Sequence, residues 1–157
     1  MAYDFNINTS PILEAALRII NCEPQFSGIL KNKLLKKGFS KEQVVFVLQQ
    51  LEELELLDDD KLAGIYAENL MRIKLYGPMI VRTKLYEKGV ERSIAEGAVS
   101  SALKENGGES ELCRKCLERK IDSRLDTKAK IRRLVTKGFS MSAIRSVLKE
   151  ADEYFYE

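Results

Sequence analysis

Cys113-x-x-Cys116 is the one pairing in this chain whose spacing could hold a metal or run thiol–disulfide exchange. Zinc sites need a second such pair or histidines, and redox sites of this form sit beside a βαβ unit. The chain has no histidine and a single further cysteine, Cys22. Both Cys113 and Cys116 fall on the apolar stripe of an expected helix, so the reading is two buried structural thiols and no metal. Asp58-Asp59-Asp60 could attract a divalent ion. Carboxylates at a helix start also meet unsatisfied N–H groups, and that capping role is preferred here.

The absence of histidine removes the imidazole general base and every Ser-His or Cys-His nucleophile. Neither G-x-x-x-x-G-K-[ST] nor G-x-G-x-x-G occurs, so nucleotide binding and other cofactors have no support. The chain is therefore read as a non-enzyme.

Basic side chains remain as the carriers of chemistry. The 157 residues hold 26 Lys+Arg and 24 Asp+Glu, a net charge of only +2, but the cations are clustered. Arg72, Lys74, Arg82, Lys84 and Lys88 stand against one acidic residue between positions 72 and 88. Ten basic and three acidic residues lie between Arg114 and Lys137, with Arg132 and Arg133 adjacent. Such density can meet phosphates or an acidic protein surface, or can be a solvated helix face. Tyr66 fits a core stripe, whereas Tyr76, beside Gly77-Pro78, is expected to be exposed.

The elements that must position these residues form an internal repeat. Leu34-Leu35-Lys36-Lys37-Gly38-Phe39-Ser40, Leu85-Tyr86-Glu87-Lys88-Gly89-Val90-Glu91 and Leu134-Val135-Thr136-Lys137-Gly138-Phe139-Ser140 share one pattern. Their glycines are 51 and 49 residues apart. Val44, Val47, Leu48 and Leu51 follow Gly38 at helical spacing; Ala95, Ala98, Val99 and Ala102 follow Gly89; Ile144, Val147, Leu148 and Ala151 follow Gly138. A second stripe precedes each glycine: Leu30, Leu34, Leu35; Val81, Leu85, Tyr86; Ile131, Leu134, Val135. A third opens each segment. It reads Ile12, Leu13, Ala16, Leu17, Ile20, then Leu62, Ile65, Tyr66, Leu70, Ile73, then Leu112, Cys113, Cys116, Leu117, Ile121.

Gly38, Gly89 and Gly138 are read as structural turns, each ending one helix in the left-handed conformation before the next begins. Ser40 with Gln43 should form a capping box, Ser140 a similar cap, and Ser10 a cap ahead of Pro11. The expected fold is all-α: three tandem three-helix repeats stacked into a short curved array. Residues 1–57 comprise an arm and the first repeat, 58–107 the second, 108–157 the third. Tyr3 to Ile7 alternates like a strand and is read as the arm. No apolar run is long enough to span a membrane, and the first ten residues lack a secretory pattern. An odd cysteine count without an export signal points to a reducing cytoplasm. Nothing suggests an oligomer, so a monomer is expected.

The chain resembles the RecX family, regulators of the RecA recombinase. The resemblance rests on Leu56-Leu57-Asp58-Asp59, Tyr66-Ala67, Arg72, Lys74, Gly77-Pro78 and Lys84-Leu85-x-x-Lys88-Gly89-Val90. Ala16-Leu17, Ser27, Leu30 and Leu34 add to it in the first repeat, and Lys130, Leu134 and Val147-Leu148 in the third. It implies a modulator that binds the RecA–DNA filament and limits recombinase, ATPase and coprotease activity. Arg72, Lys74, Arg82, Lys84, Lys88, Arg132 and Arg133 would then contact the filament. Direct contact with single- or double-stranded DNA stays open, as does the alternative of an autonomous nucleic-acid-binding module.

Overall fold

The structure, a computed structural model, describes residues 10–121 and 123–153. The alternating segment Tyr3 to Ile7 lies outside the described residues. Within them every regular element is a helix: α1 (Pro11–Cys22), α2 (Ser27–Lys36), α3 (Lys41–Glu53), α4 (Asp59–Arg72), α5 (Pro78–Glu87), α6 (Arg92–Glu105), α7 (Glu109–Lys120), α8 (Thr127–Thr136) and α9 (Met141–Glu153). The chain divides into two compact units. One comprises residues 1–62 with the turn Lys88–Val90, and the other residues 63–87 and 91–157.

In the first unit α1, α2 and α3 close around Ile12, Ala16, Leu30, Leu34, Val44, Val47, Leu51 and Leu57. The punctuation follows local rules. Gly38 has φ +94, its N–H donates to the Leu35 carbonyl, and the Phe39 N–H donates to the Leu34 carbonyl. That pair of bonds satisfies two carbonyls the helix would leave open, and only a residue without Cβ takes this φ freely. Gly138 repeats it at φ +91, with Phe139 bonded back to Leu134. Ser40 and Gln43 form the full capping box, and the Ser140 hydroxyl accepts from the Ala143 N–H at 3.2 Å. Ser10 differs from expectation. Its hydroxyl makes no capping bond and is buried without a hydrogen-bond partner among the described residues. Pro11 alone sets the start of α1, because its fixed φ suits the first helical position and it has no N–H to satisfy.

The aspartate run is divided between two tasks. Asp58 accepts from the Lys61 N–H at 2.9 Å, a local cap. Asp59 reaches away from its own helix: its carboxylate accepts from the Ser27 N–H at 2.8 Å and the Ser27 hydroxyl at 2.6 Å. The start of α2 is thus capped from 32 residues away. In the same unit Gly28 lies directly against Gly89, and a Cβ on Gly28 would stand 2.9 Å from the Gly89 Cα.

In the second unit α6 presents Ala95, Ala98, Val99 and Ala102 to the interior, all buried. Leu112, Cys113, Cys116 and Ile121 of α7 and its end are buried, as are Leu134, Phe139, Ala143, Ile144 and Val147, and α7 packs against α8 and α9. The Glu109 carboxylate, at the start of α7, accepts from the Ser140 N–H at 2.6 Å and fixes where α9 begins.

The stripe read for α4 is corrected. Ala63, Ala67 and Met71 are buried, whereas Ile65 and Ile73 are 50% and 55% exposed. The buried face of α4 is the row Ala63, Ala67 and Met71 at four-residue spacing, and the larger Ile65 and Ile73 lie off it. Tyr86 and Val135 are likewise exposed rather than core.

Cys113 and Cys116 are fully buried free thiols, and Cys22 is exposed. Burial pushes the Cys113 thiol up to about 12, with the neighbouring Cys116 adding to it, and burial raises Cys116 as well. A thiol held protonated is a poor nucleophile. Alkylation at neutral pH is therefore expected to modify Cys22 quickly and the other two only after denaturation, as counted by mass spectrometry. Rapid triple labelling of the native protein would contradict the buried structural role.

Candidate partner interface in the second unit

The segment between α4 and α5 is built with strain. Leu75 is in the left-handed region at φ +55, a conformation costing a residue with Cβ about 1–2 kcal/mol. Its side chain is 2% exposed, and burying a leucine returns about 1.5–3 kcal/mol. Core packing therefore wins over backbone preference at Leu75 and fixes the direction of Tyr76.

Beyond it the Gly77 N–H donates to the Lys137 carbonyl at 2.8 Å, and the Met79 N–H donates to the Gly138 carbonyl at 3.2 Å. The start of α5 is thereby bonded to the turn after α8. A Cβ on Gly77 would overlap the backbone carbonyl of Gly138 and come within 2.7 Å of the Phe139 nitrogen. Only glycine permits this approach.

The consequence is a cation–aromatic cluster. Lys137 Nζ lies 4.7 Å from the centre of the Tyr76 ring, and Lys84 Nζ lies 5.7 Å from it. The ring face attracts both cations at close range. Neither ammonium group pairs with a carboxylate among the described residues. Tyr76 is half-buried between them, not freely exposed as its place beside Gly77-Pro78 suggests.

The other expected contact residues are dispersed. Arg72 is exposed but lies 3.4 Å from Glu68 one turn earlier. Lys74 is exposed on the linker. Arg132 and Arg133 are exposed on α8, and Arg133 is one helical turn before Lys137. Lys88 is half-buried, engaged, and belongs to the first unit. Arg82 is an internal partner: its Nε donates to Glu96 of α6 at 2.9 Å, while the Tyr86 hydroxyl donates to the other Glu96 oxygen at 3.0 Å. It is thus a tie between α5 and α6 more than a free cation. Lys137, the residue that caps the end of α8, is the third-segment cation that stands beside Tyr76.

The Arg82 bond, followed by the Tyr86 bond, holds the Glu96 carboxyl below its ordinary range. A depressed carboxyl contributes stability above its unfolded pKa and loses it as pH falls through the folded value. Glu96→Gln is therefore expected to lower Tm at neutral pH, with the gap to wild type closing in acid below the ordinary carboxylate range. A gap independent of pH would show that the tie is not electrostatic.

Fold and site together define a tandem three-helix repeat protein whose second unit presents cations on an aromatic platform. Among the described residues no group of three or more metal-ligating side chains occurs, and no helix is long and apolar enough to cross a membrane. The model of the second three-helix domain of RecX matches residues 58–99. The regulatory protein RecX of Thermotoga petrophila is 34% identical over 148 residues, covering 94% of this chain and 88% of that protein. That of Chlorobaculum tepidum is 32% identical, covering 89% and 88%. The crystal structure of RecX from Lactobacillus salivarius superposes with a TM-score of 0.75 at 23% identity, over 90% of this chain and 94% of that one. The chain belongs to the RecX family of regulatory proteins.

Proposed function

We propose that this protein is a non-enzymatic regulator that binds the RecA–DNA filament in the cytoplasm as a monomer and restrains recombinase, ATPase and coprotease activity. The observation that carries the filament contact is the Tyr76–Lys84–Lys137 cluster, two cations with no carboxylate partner among the described residues, held by a ring that backbone bonds place against the next turn. Exposed Lys74, Arg132 and Arg133 extend the positive surface of the same unit, and Arg72 adds to it through a solvent-exposed pair. A regulator shifts an equilibrium only through differential affinity for two states, so it must bind one filament state better than another.

The direct test is RecA ATP hydrolysis on single-stranded DNA with increasing amounts of this protein. The expected result is a fall in rate that saturates near stoichiometry, and an unchanged rate there would overturn the reading. The same cluster also favours a second reading, autonomous nucleic-acid binding, because aromatic rings flanked by cations suit single strands. Tight DNA binding without RecA, weakening steeply with salt, together with no effect on RecA, would select it.

A further inference from the structure

Each unit contains one helix start seated on the glycine turn that ends another helix. In the first unit Gly28, in the opening turn of α2, meets Gly89, and in the second Gly77, ahead of α5, meets Gly138. Both pairs are 61 residues apart in sequence. The two joints show what such a turn accepts: a helix start with glycine at the contact, whose free N–H groups, in the second unit, donate to the turn's carbonyls.

The third turn of this kind, Lys37-Gly38-Phe39, is open. Among the described residues nothing lies within 4 Å of where a Gly38 Cβ would stand. No described backbone hydrogen bond ends on the Lys37 or Gly38 carbonyl, whereas those of Lys137 and Gly138 both accept one. Exposed Lys36, Lys37 and Lys41 lie in and just after it, and Lys37 also lines an open groove with Arg18, Lys33 and Glu23, of which Lys33 and Glu23 lie 3.9 Å apart.

We infer that the Gly38 turn is a docking site for a helix start on the regulated recombinase, one that carries glycine at the contact and acidic residues in its first turn. This rests on the filament-binding reading above. The chemistry of the occupant follows from the two filled joints and from the lysines around the empty one. Within this chain the start of α7 has that composition, with Gly108 ahead of Glu109 and Glu111, and its Glu109 carboxylate is already engaged by the Ser140 N–H. The helix start that corresponds to the two seated ones is that of α8, and it begins Asp126-Thr127, with Asp126 already accepting from the Ala129 N–H.

The test is co-sedimentation with RecA filaments formed on single-stranded DNA with a non-hydrolysable ATP analogue. Gly38→Asn keeps a residue that tolerates left-handed backbone but fills the contact. It is expected to weaken binding about tenfold, the effect of forcing one extra group into a close-packed contact, with helicity retained. Lys37→Trp, at a right-handed position on the rim, should do the same and decides the matter if Gly38→Asn fails to fold. Wild-type affinity in folded variants would overturn the docking site and leave filament binding standing. No sedimentation of the wild type would overturn both. Self-association of the wild type that Gly38→Asn abolishes would assign the turn to a second copy and overturn the recombinase as occupant.

Discussion

Gly77→Ala is expected to cost about 3 kcal/mol, the upper range for forcing an extra group into a packed site, and to lower Tm by about 6–12 °C. One methyl group does this because the obstacle is backbone, not side chain. The added Cβ would meet the Gly138 carbonyl and the Phe139 nitrogen, and neither can rotate away. Separating them would break the bonds from Gly77 to Lys137 and from Met79 to Gly138. Gly97→Ala is the matched control. It lies within α6 with open space around its Cβ position, so removing glycine's backbone entropy should raise stability by about 0.5–1 kcal/mol. Thermal unfolding of the two variants should move in opposite directions. A Gly77→Ala protein that melts with the wild type would mean that α5 does not sit on the α8 turn.

Reversing both lysines, Lys84→Glu with Lys137→Glu, is expected to weaken filament binding about a hundredfold, equal to about 2.7 kcal/mol. Two cations become two anions beside one ring, so attraction to a polyanionic partner turns to repulsion at the centre of the contact. The loss should be greatest at low salt and shrink as salt screens the charges. The structural cost should be small by comparison, since each cation–ring contact is worth about 0.5–1 kcal/mol at an accessible site. Arg72→Ala is the comparison, because Arg72 is already drawn toward Glu68 and should matter less. Equal affinity for the doubly reversed protein and the wild type would reduce the cluster to a solvated helix face.

Arg82 shows why charge counts alone mislead. Its place in a basic run makes it look like a partner contact, yet its Nε is taken by Glu96 fourteen residues later. A pairing across two helices depends on how they pack, which no local pattern encodes. Lys137 is the converse. Its sequence position suggests only a cation at a helix end, and its place over Tyr76 exists because α5 is bonded to the α8 turn.

Most local interactions were legible, the side-chain cap expected at Ser10 being the exception. The left-handed turns at Gly38 and Gly138, the Ser40–Gln43 box and the buried faces of α3, α6 and α7 follow from chemistry within four or five residues, where backbone geometry dictates which groups meet. The absence of histidine and the burial expected for Cys113 and Cys116 could be read in the same way. Tertiary structure alone decided which face of α4 turns inward, because Ala63 and Ala67 offer less apolar surface than Ile65 and Ile73 and yet are the ones buried. It alone sent Asp59 to Ser27, let Leu75 hold a strained backbone, and set Gly77 on Gly138. These contacts join residues 32 and 61 positions apart in two of the cases. Their energies depend on distances that only packing creates.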